Sequence, residues 1–165
     1  MNALRHVDDI ETWFALHQLE SAYWYDVDFN GGKSVHELYV KEGIFVVGGN
    51  RFEGEQGIRS FYEWRCRRSL TTTRHLISNS IVLAKEGERA QWFCSILVYQ
   101  GPRRAATVEL PALVADVRAE CVRGDDAVWR YASRVVDPIF VGPHTPLSLS
   151  IDPKYLASRQ SQPTT

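Results

Sequence analysis

The chain is predicted to adopt an α+β fold, with helices gathered on one face of a curved, mainly antiparallel sheet. Three observations predict it. Helical periodicities occupy the first part of the sequence, four long strand candidates follow one another in the second part, and the breaks between those strands are short and turn-like.

The first element is an amphipathic helix of about five turns. Ile10, Trp13, Phe14, Leu16, Leu19, Tyr23, Trp24 and Val27 recur at helical spacing, and Asn30-Gly31-Gly32 supplies the stop. A short helix over Lys33 to Tyr39 follows, with Ser34 as its cap. Tyr39-Val40 and Ile44-Phe45-Val46-Val47 read as strand, Gly48-Gly49-Asn50 as a tight turn, and Arg51-Phe52-Glu53 as the return strand. Gly54 to about Arg68 reads as a helix, with Ile58, Phe61, Tyr62 and Arg65 at spacings of three and four. The long strands are expected near Thr73 to Ala84, Arg89 to Gln100, Leu110 to Arg123 and Ala127 to Phe140. Lys85-Glu86-Gly87-Glu88, Gly101-Pro102-Arg103-Arg104 and Gly124-Asp125-Asp126 punctuate them, so the strands form a meander.

A length of 165 residues with 44% hydrophobic content suits one domain with a real core, expected over residues 1–141. Residues 142–165 turn to Gly, Pro, Ser and Thr and are expected to be a C-terminal tail, partly ordered or capping. The net charge of −1 offers no field to recruit nucleic acid or anionic lipid, so neither partner is expected. Cys66, Cys94 and Cys121 are odd in number and widely spaced, which suggests neither a disulfide framework nor a cysteine zinc site and suits a reducing cytoplasm. The N-terminus lacks a basic stub followed by an apolar run, and no span of about 18 apolar residues occurs. His6, His36 and His144 lack metal-ligand spacing, no HExxH is present, and no glycine-rich nucleotide loop or G-x-S-x-G occurs. No metal and no cofactor are therefore expected.

Two residues carry the chemical expectation. On a helical wheel at about 100° per residue, Asp28 shares the angle of Ile10 and lies near Phe14, His17 and Trp24, whereas Asp26 points about 160° away. Asp28 is thus expected inside and Asp26 outside; the competing reading has Asp28 cap the Asn-Gly-Gly turn. His75 alternates with Ile77, Asn79 and Ile81 on one face of its strand, opposite Arg74, Leu76, Ser78 and Ser80. A carboxylate bonded to one ring nitrogen leaves the other free as a base and stabilises the imidazolium that forms. The plain alternative is a core histidine bonded to a backbone carbonyl. Tyr23, within the aromatic stripe, is a candidate to polarise a carbonyl or protonate a leaving hydroxyl. Trp24, His17 and Asn79 are candidate pocket residues, with Trp13, Phe14, Phe45, Trp64 and Phe93 as walls. The cluster Arg59, Arg65, Arg67, Arg68 and Arg74 reads first as a solvated helix end and second as a site for an anionic substrate group.

The chain resembles the SnoaL-like branch of the nuclear-transport-factor-2-like superfamily, which includes scytalone dehydratase, bile-acid 7α-dehydratase and hexachlorocyclohexane dehydrochlorinase. The resemblance spans roughly residues 10 to 140. It rests on Leu19-x3-Tyr23-x4-Asp28, on Phe52-x-Gly54-x3-Ile58-x2-Phe61 and on Thr72-Thr73-Arg74-His75-Leu76-x2-Asn79. It implies a cystatin-like, cone-shaped α+β barrel that forms a homodimer or homotrimer. It also implies cofactor-free lyase or isomerase chemistry on a hydrophobic cyclic, aromatic, polyketide or steroid-like molecule, with Asp28, His75 and Tyr23 as the inherited catalytic positions. Gln91-Trp92-Phe93-Cys94-Ser95-Ile96 departs from those dehydratases that carry a second histidine or acid on this strand. The same resemblance admits a noncatalytic alternative, a ligand-binding module or the small subunit of an aromatic-ring-hydroxylating dioxygenase.

Overall fold

A computed structural model describes residues 9–68, 71–102 and 111–142. Helix α1 (Ile10–Tyr25) starts at Asp9, whose carboxylate accepts the Thr12 amide at 3.0 Å and pairs with Lys85 Nζ at 2.6 Å. Its buried stripe is Thr12, Leu16, Leu19, Glu20, Tyr23 and Trp24. Ile10 and Phe14, expected on that stripe, are instead 72% and 57% exposed. Both lie more than about 100° around the helix from Leu16, beyond the width a single sheet face covers.

At its C-terminal end the helix widens into a π turn, Asp26–Asn30, closed by Gly31 in the left-handed region at φ 75°. The expected short helix is a 3-10 turn, Val35–Leu38. Strand β1 (Tyr39–Val47) and strand β2 (Asn50–Glu53) form the hairpin, and α2 (Gly54–Arg68) follows. The long strands are β3 (Thr71–Glu86), β4 (Arg89–Pro102), β5 (Leu113–Arg123) and β6 (Trp129–Val141).

Strand order is β2-β1-β6-β5-β4-β3. The four long strands form the expected meander, but β1 joins it parallel to β6, so the sheet is mixed. Both helices pack on its concave face, giving an α+β cone. Trp92, Cys94, Ile96 and Val98 on β4, Ala115, Val117 and Cys121 on β5, and Tyr131 and Val136 on β6 build the core there. Alternation puts Phe93 on the opposite face, under the Arg118 guanidinium at 5.6 Å, so it is not a pocket wall. The proposed tail beyond Gly142, Arg103-Arg104, His6 and His144 lie outside the described residues.

A candidate active site at the dyad Asp28 and His75

The π turn decides where Asp28 points. Sharing a wheel angle with Ile10 would have left it exposed, as Ile10 is; a widened turn advances fewer degrees per residue and rotates Asp28 back beside Trp24. There its side chain is 5% exposed, and that of His75 is 8% exposed. Asp26, expected outside, is buried and takes the capping role instead. Its carboxylate accepts from Asn30 Nδ2 at 3.0 Å and from the Ser34 amide at 2.9 Å, and its carbonyl accepts from the Gly32 amide at 2.9 Å. With that turn already closed, Asp28 is free for His75.

Three donors converge on the Asp28 carboxylate. His75 Nδ1 lies 2.6 Å from Oδ1, Thr73 Oγ1 donates to Oδ1 at 2.9 Å, and the His75 amide donates to Oδ2 at 2.8 Å. An acceptor-only carboxylate fixes the proton of His75 on Nδ1 and leaves the Nε2 lone pair available. The Trp24 ring stacks on the imidazole at 3.9 Å and 10°. Burial drags the His75 pKa below its ordinary 6.5, and the opposing pull of Asp28 offsets this only in part. Burial raises the Asp28 pKa, but the bonds from His75 and Thr73 outweigh it and hold the carboxyl below its ordinary range. At neutral pH the pair is therefore a neutral imidazole beside a carboxylate.

His75 forms part of the wall of a cavity of about 50 Å³, open at its mouth, between α2, the end of α1 and the sheet. Most of the wall is apolar, from Trp24, Val27, Phe45, Val47, Phe61, Ile96, Val98, Leu113 and Val136. The polar lining comes from Tyr62, Arg65, Thr71, Thr73, His75 and Gln100. Thr71, Thr73 and His75 share a face of β3, and Gln100 pairs with Thr73 across the ladder, so one end of the cavity is polar.

The remaining expected site residues divide sharply. Trp24 and Phe45 line the cavity. Tyr23 is fully buried one layer back, its hydroxyl bonded to that of Tyr62, and Tyr62 is the phenol in the wall. Burial raises the pKa of both phenols, which keeps them as donors. His17 stacks on Trp13 at 5.0 Å, away from the cavity lining. Trp64 is buried against Phe61 and under Arg68 and does not line the cavity. Asn79 is exposed: at φ 51° it sits in a bulge between Ser78 and Ile81 that reverses the alternation. Phe14 is on the outer surface.

Sequence reasoning passed over Thr73, although it stands two residues before His75 on the same strand face. It also passed over the fully buried pair Glu20 and Arg134, bonded at 2.5 Å. Glu20 further accepts from Trp24 Nε1 and Tyr131 Oη, each at 2.7 Å, and so fixes the ring that covers His75. No periodicity marks such a pair, because its partners are more than a hundred residues apart. Among the described residues, no group of three or more metal-ligating side chains comes together.

A cone-shaped α+β domain with a carboxylate–imidazole pair in the wall of an apolar cavity is the class these features define. The chain belongs to the SnoaL-like domain family, which matches residues 8–135. ActVI-ORFA of Streptomyces coelicolor is similar in structure, with 16% identity over 77% of this chain and 97% of that one and a TM-score of 0.69. So is a candidate scytalone dehydratase from Novosphingobium aromaticivorans, at 16% identity over 81% and 88% of the two chains and a TM-score of 0.70. A Nostoc punctiforme protein of unknown function with a cystatin-like fold matches at 16% identity over 81% and 93%, with a TM-score of 0.66. These likenesses show the fold. No match was found among curated proteins. Among the described residues no helix is long and apolar enough to cross a membrane.

Proposed function

We propose that this protein is a cofactor-independent lyase or isomerase of the dehydratase type, acting on a hydrophobic cyclic molecule. The observation that carries the reading is the 2.6 Å contact between His75 Nδ1 and Asp28 Oδ1 in the cavity wall. His75 Nε2 removes a proton from carbon next to a carbonyl, and the electron pair moves onto the carbonyl oxygen as an enolate. Asp28 stabilises the imidazolium. In elimination the enolate collapses and expels a β-hydroxyl, which takes a proton from the imidazolium or from Tyr62 and leaves as water. In isomerisation the imidazolium returns the proton to a different carbon of the same system. Tyr62 takes the oxygen-directed role expected of Tyr23, with Tyr23 supporting it from behind. The structural likeness to a candidate scytalone dehydratase supports the reaction type at the level of analogy.

The test is turnover of a panel of cyclic β-hydroxy ketones and unconjugated cyclic enones by wild type and His75→Ala. A base of this kind contributes about 10²–10⁴-fold, so the variant should lose activity on that scale while its circular dichroism is kept. Turnover retained by His75→Ala would remove the base from the mechanism. Co-purification with a larger iron-sulfur subunit, without turnover, would favour the noncatalytic alternative.

A further inference from the structure

Arg65 stands apart from the other cations of its helix. Arg59 pairs with Glu55 at 2.7 Å and Arg67 with Glu63 at 3.7 Å, both on the outer side of α2. The Arg68 guanidinium lies over the Trp64 ring, and Arg74 covers exposed Phe29 at 4.3 Å. Arg65 alone of these five lines the cavity. Its Nη2 donates to Thr73 Oγ1 at 3.1 Å, and among the described residues no carboxylate lies within ion-pair distance of it.

The hydrogen-bond direction explains why Asp28 does not satisfy this charge. Thr73 spends its proton on Asp28 and receives one from Arg65, so a hydroxyl separates the two charges. A guanidinium has five donors in a planar fork, and one hydroxyl oxygen uses a single direction of that fork. A half-buried cation beside apolar walls gains most from an anionic oxygen pair that matches the fork. Gln100, across the ladder from Thr73, adds an amide at the same polar end.

We infer that Arg65, with Gln100 beside it, is the anchoring subsite for a carboxylate, and that the ligand class of this cavity is a ring-bearing hydrophobic carboxylic acid whose ring lies along the apolar wall. This rests on the reading of the cavity as the substrate site and names which substrates it takes. The acid group is held at the Thr73 end of β3, and the ring lies against Trp24, Phe45 and Val98, within reach of His75. Arg65 thereby determines specificity, and the proton transfer remains with His75.

The experiment needs no turnover. Binding of 1-naphthoate and of its neutral isostere 1-naphthamide is measured by calorimetry on wild type, Arg65→Gln and Arg65→Lys. Wild type should bind the acid about tenfold or more tightly than the amide. Arg65→Gln should lose that preference, with acid binding weakened far more than amide binding, and Arg65→Lys should keep part of it through charge without the fork. Equal binding of acid and amide by wild type, no binding of the acid, or a preference that survives Arg65→Gln overturns the inference. The wild-type comparison holds even where a variant folds poorly. Failure here separates cleanly from failure of the catalytic reading. His75-dependent turnover of neutral ketones with no acid preference removes the Arg65 subsite alone. An Arg65-dependent acid preference without His75-dependent turnover removes the base alone.

Discussion

Replacing Asp28 by Asn tests the electrostatic heart of the site, because the structure directs three donors at that carboxylate. An amide has one oxygen. If it keeps the Oδ1 position and accepts from Thr73 and His75 Nδ1, its nitrogen occupies the Oδ2 position and faces the His75 amide, donor against donor. One unsatisfied buried pair costs roughly 1–3 kcal/mol, so the variant should lose about that much stability while staying folded. The titration effect is separate. A hydrogen bond to a charged group contributes about 1.5–3 kcal/mol, so losing the carboxylate removes the one contact that favours the imidazolium, and the His75 pKa should fall further below its ordinary value. The assay is a pH titration of the His75 ring by NMR, with Asp26→Asn as the control. Asp26 sits on the same turn but its carboxylate accepts from Asn30 and the Ser34 amide and not from His75, so its variant should leave the His75 curve in place. An unchanged His75 titration in Asp28→Asn would refute the coupling, and with it the orienting role of the carboxylate.

Three further outcomes follow from the same geometry. The folded His75 pKa lies below its ordinary 6.5, so the unfolded chain binds the proton more readily. Stability should therefore fall as pH drops below about 6.5, and the slope in urea melts should be shallower over that window in His75→Gln. Asp28, depressed in the folded state, contributes stability that is present above the ordinary carboxylate range and is lost as pH falls through its folded value. Gly32 has φ 80°, and a Cβ there would run into the Tyr62 ring. Gly32→Ala should cost roughly 2–5 kcal/mol from left-handed strain and overpacking, and thermal melting with Tyr62 chemical shifts reads both effects. Glu20→Gln leaves the fully buried Arg134 without its counter-charge, an expected loss of about 3–5 kcal/mol in denaturant melts. Adding Arg134→Met should recover part of it; no recovery would argue that the pair is not the source of the loss.

Asp28 is buried, as a uniform helical wheel predicts, but for a different geometric reason. The wheel grouped Asp28 with Ile10 and Phe14, which the structure exposes, and set aside Asp26, which the structure buries. A uniform 100° step is blind to a π turn, since that turn arises where the chain must close on Gly31 and Gly32 against α2. The face of His75 was legible because strand alternation is local and held from Thr73 to Ile77. Asn79 was misplaced because a bulge lies beyond that stretch, and no residue pattern in the sequence announced it. Tyr23 was read as facing the pocket because aromatic spacing reports burial and not depth, and only packing showed Tyr62 in front of it.

By itself the sequence determined the order of elements and the meander of long strands. Those follow from periodicity and turn chemistry, which act over a few residues. The tertiary structure alone decided that β1 runs parallel to β6, that Glu20 meets Arg134, and that Thr73 stands between Arg65 and Asp28. Such contacts join residues distant in the chain, and their energies depend on burial and direction, which exist only once the sheet has curved around the helices.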